Sequence, residues 1–177
     1  MNLPSEINVD SVNEWLTRAI QDVSETMFGQ AGYPAELSET GLPTEPSVVA
    51  CIGIRGNCRL EVAMYFPLPL ANRLASLSLD VPEAALDEKM TDDVAGEFSN
   101  MVVGAVKSRI SDLEVACAMT VPRVVRCALG APDSERKIQA ALAVIRGSAG
   151  PREGTAATAH RSVFRVCDGL LHVDLHL

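Results

Sequence analysis

From Val12 to Met27 the apolar residues Val12, Trp15, Leu16, Ala19, Ile20, Val23 and Met27 recur at helical spacing. This predicts an amphipathic helix over Ser11 to Phe28. Ser11 with Glu14 fits a capping box, and Gly29 fits a C-terminal stop. Gly32 to Pro46, rich in Gly, Pro, Ser and Glu, reads as a loop. The period then changes. Val48 to Ile54 is a short β-branched run, Gly56-Asn57 breaks it, and Leu60, Val62, Met64 and Phe66 alternate with Arg59, Glu61, Ala63 and Tyr65. Two such runs around a Gly-Asn pair predict a β-hairpin. Pro67 and Pro69 end it, Leu70 to Leu79 reads as a short helix, and Pro82 to Met90 as a connection.

Thr91 to Ile110 is the clearest helix, with Thr91 as its cap and Asp92 and Asp93 at the positive end of its dipole. Val115, Cys117, Met119 and Val121 alternate as a strand, Pro122 interrupts, and Val124 to Leu129 continues as another. Asp133 to Ile145 fits helix or strand, with Ile138, Leu142 and Ile145 tipping the balance toward helix. Gly147 to Arg161 is small and polar and is expected to be a mobile loop. Ser162 to Leu177 is expected to close the chain as a hairpin turning at Asp168-Gly169. The order of elements indicates an α+β fold with helices covering a mainly antiparallel sheet. A faint repeat runs through it. Aligning Asp22 with Glu97 puts Glu25 on Asn100 and Gly29 on Gly104, and one residue of slippage then matches 46–51 with 122–127. Such a match implies a duplicated helix-plus-strands unit of roughly 75 residues.

Length and charge narrow the function classes. At 177 residues and 18.9 kDa the chain is expected to be one domain, 1–177. Aromatics are only 4%, so the core must come from Val, Ala, Leu, Ile and Met. A formal charge of −8 with so few aromatics supplies neither the electrostatic nor the stacking part of nucleic-acid binding. No apolar run approaches the roughly 18 residues a bilayer span needs. Met1 to Asp10 lacks the basic and apolar regions of a secretory signal. No membrane association and a cytoplasmic location are therefore expected. The cysteines at 51, 58, 117, 127 and 167 form no C-x-x-C pair and read as small buried hydrophobes in a reducing compartment. Their spacing argues against zinc.

The candidate chemistry sits on the helix from Thr91. Its apolar stripe of Val94, Phe98, Met101, Val102, Ala105 and Val106 is expected to face the core. The opposite line is Asp93, Glu97, Asn100, Gly104 and Ser108, so Glu97 and Asn100 are neighbours on an exposed face. Gly96, Ser99 and Gly104 surround them. Two glycines cost a helix interior roughly 1 kcal/mol each relative to Ala, so they need a reason. One reason is a low platform on which the carboxylate and amide stand open to another protein's surface. Helix packing is another. E-x-x-N alone is a common pattern, ordinary on any solvated helix.

The longer motif Asp93-x-x-Gly96-Glu97-x-x-Asn100-Met101-x-x-Gly104-x-x-Lys107-Ser108 resembles the signature helix of the CheC/CheX/FliY family of chemotaxis phosphatases, closest to its CheX branch. The likeness extends over roughly residues 10 to 130. It includes Glu25-Thr26-Met27-Phe28-Gly29, the hairpin Cys51 to Phe66, and Met119-Thr120-Val121-Pro122-Arg123-Val124-Val125, similar to the family's S-x-P-x-V-V stretch. Arg126-Cys127 departs from the pattern, where a Gly is expected. The resemblance implies a CheC-like fold and hydrolysis of the phospho-aspartate of a CheY-type response regulator. The receiver is then the partner and supplies Mg²⁺ and a lysine, and no cofactor or metal is bound by this chain. Asn100 is implied to orient the attacking water, as a glutamine does in small GTPases, and Glu97 to pair with the receiver's lysine. Asp93, Gly96 and Gly104 are implied partner contacts. Some members carry a second E-x-x-N in the first helix. Here Asp22 and Glu25 stand there without an amide, so one active site is expected. A homodimer follows from the resemblance alone.

Plainer readings stand beside this one. His172, Asp174 and His176 share one strand face, a metal-capable set, but more simply a solvent-facing or intersubunit face. Arg123 and Arg126 flank an edge within reach of an acidic partner, and Lys107 reads as solvated or a dimer contact. The alternatives are a non-catalytic domain of the same fold that binds a receiver or a motility component, and a dimeric structural or ligand-sensing domain with an incidental E-x-x-N.

Overall fold

The computed structural model describes residues 7–36, 45–128, 132–147 and 160–177. Helix α1 (Val9–Phe28) is followed by strands β1 (Tyr33–Ala35), β2 (Pro46–Gly56) and β3 (Leu60–Pro67). Then come α2 (Leu68–Leu79), a 3-10 turn (Glu83–Ala85) and α3 (Glu88–Asp112). Strands β4 (Cys117–Met119) and β5 (Arg123–Ala128), helix α4 (Pro132–Arg146), and β6 (His160–Val166) with β7 (Gly169–His176) complete the chain. All pairings are antiparallel. The order is β1-β6-β7-β3-β2, with β4 and β5 both on the outer edge of β2. The α+β expectation holds, with helices on a seven-stranded antiparallel sheet.

The two faces of the sheet carry separate cores. Val48, Ala50, Ile52 and Ile54 of β2 pack with α1, α2 and α3 in the larger cluster, while Val49 and Cys51 meet Ile138, Ala141, Leu142 and Ile145 of α4. Both faces of the central hairpin are therefore covered, which is why Val48 to Ile54 reads as a continuous apolar run. Gly53 makes room for α4, since a Cβ there would lie 2.4 Å from Cγ2 of Ile145. The segments matched by the repeat, 46–51 and 122–127, lie side by side, residues 46–51 of β2 pairing antiparallel with 123–128 of β5.

Several boundaries move for identifiable reasons. Asn8, not Ser11, caps α1; its side chain accepts from the Ser11 backbone N at 3.0 Å, and Ser11 returns a bond to the Asn8 backbone N. Glu14 instead pairs with Arg18 at 2.6 Å. Gly29 stops the helix as expected, at φ 71°. Tyr33–Ala35, inside the expected loop, is a strand pairing with β6. The C-terminal hairpin turns at Cys167-Asp168 rather than Asp168-Gly169. Both central residues have positive φ (44° and 68°), and Gly169 already pairs with Val166. His160 and Arg161, expected in a loop, begin β6; the rest of that loop, 148–159, lies outside the described residues.

The alternation on β7 is real, but its polar side is not a solvent face. His172 and Asp174 are buried. Asp174 accepts from the Tyr65 hydroxyl at 3.0 Å and takes two bonds from Arg161, at 2.6 and 2.9 Å. The carboxylate is thus a paired internal group.

Candidate functional site

The candidate site stands on α3, and the packing of that helix fixes where its polar line points. Asp87 caps it, accepting from the Met90 backbone N at 2.7 Å, so the helix begins one turn before the expected Thr91. Thr91 is buried in the second turn with its hydroxyl on the Asp87 carbonyl. Val94, Phe98, Val102 and Val106 face the core as expected, and Phe98 stacks on Phe28 and meets Phe66 edge-on. Ala95, Gly96, Ser99 and Val103 are buried too, whereas Ala105, placed in the core by its spacing, is exposed. The buried arc is wider than a single stripe because α1, α2 and the edge strands β4 and β5 all pack against the helix.

What remains outside is a narrow line. Asp93 and Glu97 are exposed, and Asn100 and Gly104 are half-buried. Among the described residues no hydrogen bond or ion pair engages the side chains of Asp93, Glu97 or Asn100. The structure therefore brings Glu97 and Asn100 together on one open face with their polar groups uncommitted. The glycines have a different role from a symmetric low platform. Gly96 is buried, and a Cβ on it would sit 3.3 Å from Cγ2 of Val124, so its bareness admits β5. Gly104 is looser, 3.7 Å from Sδ of Met119. Ser99 is occupied internally, its hydroxyl donating to the Ala95 carbonyl at 2.8 Å.

The flank along this line is the β4–β5 edge, and it is not a regular ladder. Met119 pairs with Ile54, and Arg123 pairs with Cys51. Four steps on the edge therefore oppose three on β2, which leaves one extra residue, a β-bulge, within 120–122. Thr120 pins it: its backbone N donates to the Gly53 carbonyl and its hydroxyl accepts from the Gly53 N, both at 2.9 Å. Pro122 adds rigidity and has no N–H to offer. Val121 between them is 79% exposed. Nothing in the alternation of 115–121 separates Val121 from buried Val115 and half-buried Cys117 and Met119; the following Pro122 is the only local signal.

Other candidates resolve differently. Arg126 is not free for an acidic partner. Its Nε donates to Asp92 at 2.9 Å and its NH2 group to the Glu88 carbonyl at 2.8 Å, tying β5 to the first turns of α3. Arg123 remains exposed. No group of three or more His, Cys, Asp or Glu side chains is placed to hold a metal among the described residues. Nor is any helix there long and apolar enough to cross a membrane. Cys51, Cys58, Cys127 and Cys167 are buried thiols whose pKa is raised chiefly by burial, that of Cys51 to about 12, so they are poor nucleophiles.

Residues 48–140 match the family described as chemotaxis phosphatase CheX. The chain belongs to the CheX family. No curated protein matches the sequence. Among solved structures, this CheX-family chain is similar to a CheC-like superfamily protein from Shewanella sp. PV-4, at 21% identity and TM-score 0.66, over 96% of this chain and 98% of that one. It is likewise similar to chemotaxis protein CheX from Vibrio vulnificus, at 17% identity and TM-score 0.66, over 93% and 95%. A third is the CheX–CheY–BeF3–Mg2+ complex from Borrelia burgdorferi, at 15% identity and TM-score 0.63, over 93% and 96%. These likenesses establish a shared CheX/CheC fold. Within it, α1 of this CheX-family chain offers Asp22 and Glu25, both exposed, where α3 offers Glu97 and Asn100. The two helices pack against each other, but only α3 carries an amide on that line.

Proposed function

We propose that this CheX-family chain is a phosphatase that hydrolyses the aspartyl phosphate of a CheY-type receiver domain. The observation that carries the reading is the uncommitted pair Glu97 and Asn100, three residues apart on an exposed line of α3, inside the segment that matches the family. The Borrelia structure, a complex of a CheX with a CheY, supports the class of partner. Asp93 and Gly104 lie on the same line and complete the contact, while Gly96 acts from beneath by setting the distance between α3 and β5.

The chemistry asked of this chain is modest. An acyl phosphate is already activated, and the receiver brings its own Mg²⁺ and lysine. A water oxygen attacks phosphorus, the bond between phosphorus and the aspartate oxygen breaks, and aspartate and inorganic phosphate are released. Asn100 orients that water in line through its side-chain amide. Glu97 pairs with the receiver's lysine and fixes the register of docking. The gain is positional, so no acid–base group and no metal ligand is required from this chain.

Decay of a phosphorylated receiver tests the reading. Wild type is expected to accelerate it, and Asn100→Ala to lose about a hundredfold of that acceleration, the scale of a misplaced reacting group. Glu97→Ala is expected to weaken binding about tenfold or more, since it leaves a docked lysine unpaired. Binding of receivers without any change in their decay would move the chain to the non-catalytic alternative. The same reading places the chain in the cytoplasm as a homodimer, which sedimentation equilibrium would test.

A further inference from the structure

The edge strands follow the site line of α3 in order. Arg126 bonds Asp92 at 2.9 Å, Val124 lies against Gly96, and Met119 lies against Gly104. Down the helix the positions are 92, 96 and 104; along the edge they are 126, 124 and 119. Asn100 is one turn from Gly96 and one turn from Gly104, so the stretch of edge running beside it is 120–122. That stretch is the bulge. The one interruption of the ladder on this edge thus falls next to the amide of the site.

We infer that Val121 is a second binding determinant of this site, an apolar contact seated on the docked receiver beside Asn100. The inference rests on the phosphatase reading above. Three observations carry it. Val121 is 79% exposed, the most exposed of the large apolar residues among those described, so it does nothing for the core. It is held rather than loose, because Thr120 is bonded twice to Gly53 and Pro122 fixes the following backbone. A rigid β-branched side chain meets a partner with little loss of rotamer freedom. Its backbone lies on the stretch of edge bracketed by the contacts of Val124 with Gly96 and of Met119 with Gly104, so a receiver placing its phosphoryl group at Asn100 has its adjoining surface over the bulge. Burial there removes apolar surface from water and narrows the approach of bulk solvent to the ordered water.

Steady-state dephosphorylation by the full-length chain tests this, with phosphorylated receiver as substrate and thermal unfolding as a check on folding. Val121→Asp is expected to raise KM about tenfold or more with kcat within about twofold, because an exposed docking contact is lost while the amide stays in place. Val121→Ile keeps the wild-type KM. Tyr33→Asn, which changes an exposed apolar residue on the opposite edge of the sheet, leaves both constants unchanged. The inference is overturned if wild type is active, Asn100→Ala is inactive, and Val121→Asp shows the wild-type KM. A fall in kcat alone with KM unchanged also overturns it. If wild type leaves the decay of the receiver unchanged, the phosphatase reading fails and takes this inference with it.

Discussion

At the scale of single residues, the side chains split into those bound inside the protein and those left for something else. Asp174 and Glu97 are both carboxylates on regular elements. Asp174 is buried and takes hydrogen bonds from Tyr65 and Arg161, while Glu97 is exposed and takes none. Removing Arg161 strands the buried charge of Asp174. Arg161→Ala is expected to cost about 2–3 kcal/mol in urea unfolding, below the figure for a fully buried pair because the arginine is partly exposed. Glu97→Ala should leave that midpoint unchanged. Burial also raises the Cys51 thiol to about 12, and it raises the Tyr65 hydroxyl as well, with the Asp174 charge adding to the latter. The folded state then holds the Cys51 proton that the unfolded chain releases near pH 9, so this group's contribution is fully present below that pH and is lost as pH rises toward 12. Tyr65 acts in the same direction from its ordinary value of 10 upward. Thermal melts should show a falling midpoint across this window. Cys51→Ala should shallow the slope by about 1.4 kcal/mol per pH unit.

At the scale of elements, the sequence reported existence and type better than context. The hairpin of β2 and β3, helices α1 and α3, and the exposed Glu97–Asn100 line were legible because each has a clean period. What the period could not report was the second layer. Ala105 looked like core and is exposed, while Gly96 and Ser99 looked like surface and are buried; at Gly96 the reason is Val124 of β5, which a Cβ there would meet at 3.3 Å. The start of α3 was misplaced for a related reason. Thr91 is a good cap by type, but Asp87 one turn earlier takes the role and leaves Thr91 to fill the interior. Asp174 looked solvent-facing because its donors, Tyr65 on β3 and Arg161 on β6, come from the two strands that flank β7, which the alternation within β7 cannot report. The two site glycines now predict opposite behaviour. Gly104→Ala meets only ordinary contact with Met119 and should stabilise the fold by up to about 1 kcal/mol through helix propensity. On the docking face it should lower receiver dephosphorylation. Gly96→Val drives a branched side chain into Val124 and should destabilise by about 1–3 kcal/mol, read from the same denaturant curves.

At the scale of the whole molecule, the sheet divides labour between its halves. The β2–β4–β5 side positions α3 and its polar line, with Arg126 locking edge to helix through Asp92. Arg126→Ala should therefore affect the geometry around Gly96 and reduce turnover more than it reduces stability. A purely structural role would reduce both in proportion. The other half is assembled from the ends of the chain. β6 and β7 come last in sequence yet sit between β1 and β3. Their order has a consequence for biosynthesis. When the ribosome has completed α3 and even α4, β3 still presents an unpaired edge, and Phe164, Val166, Leu171, Val173 and Leu175 have yet to enter the larger core. A nascent chain therefore carries an open strand edge and an unfinished hydrophobic face until β6 and β7 emerge, a state prone to associate with other chains.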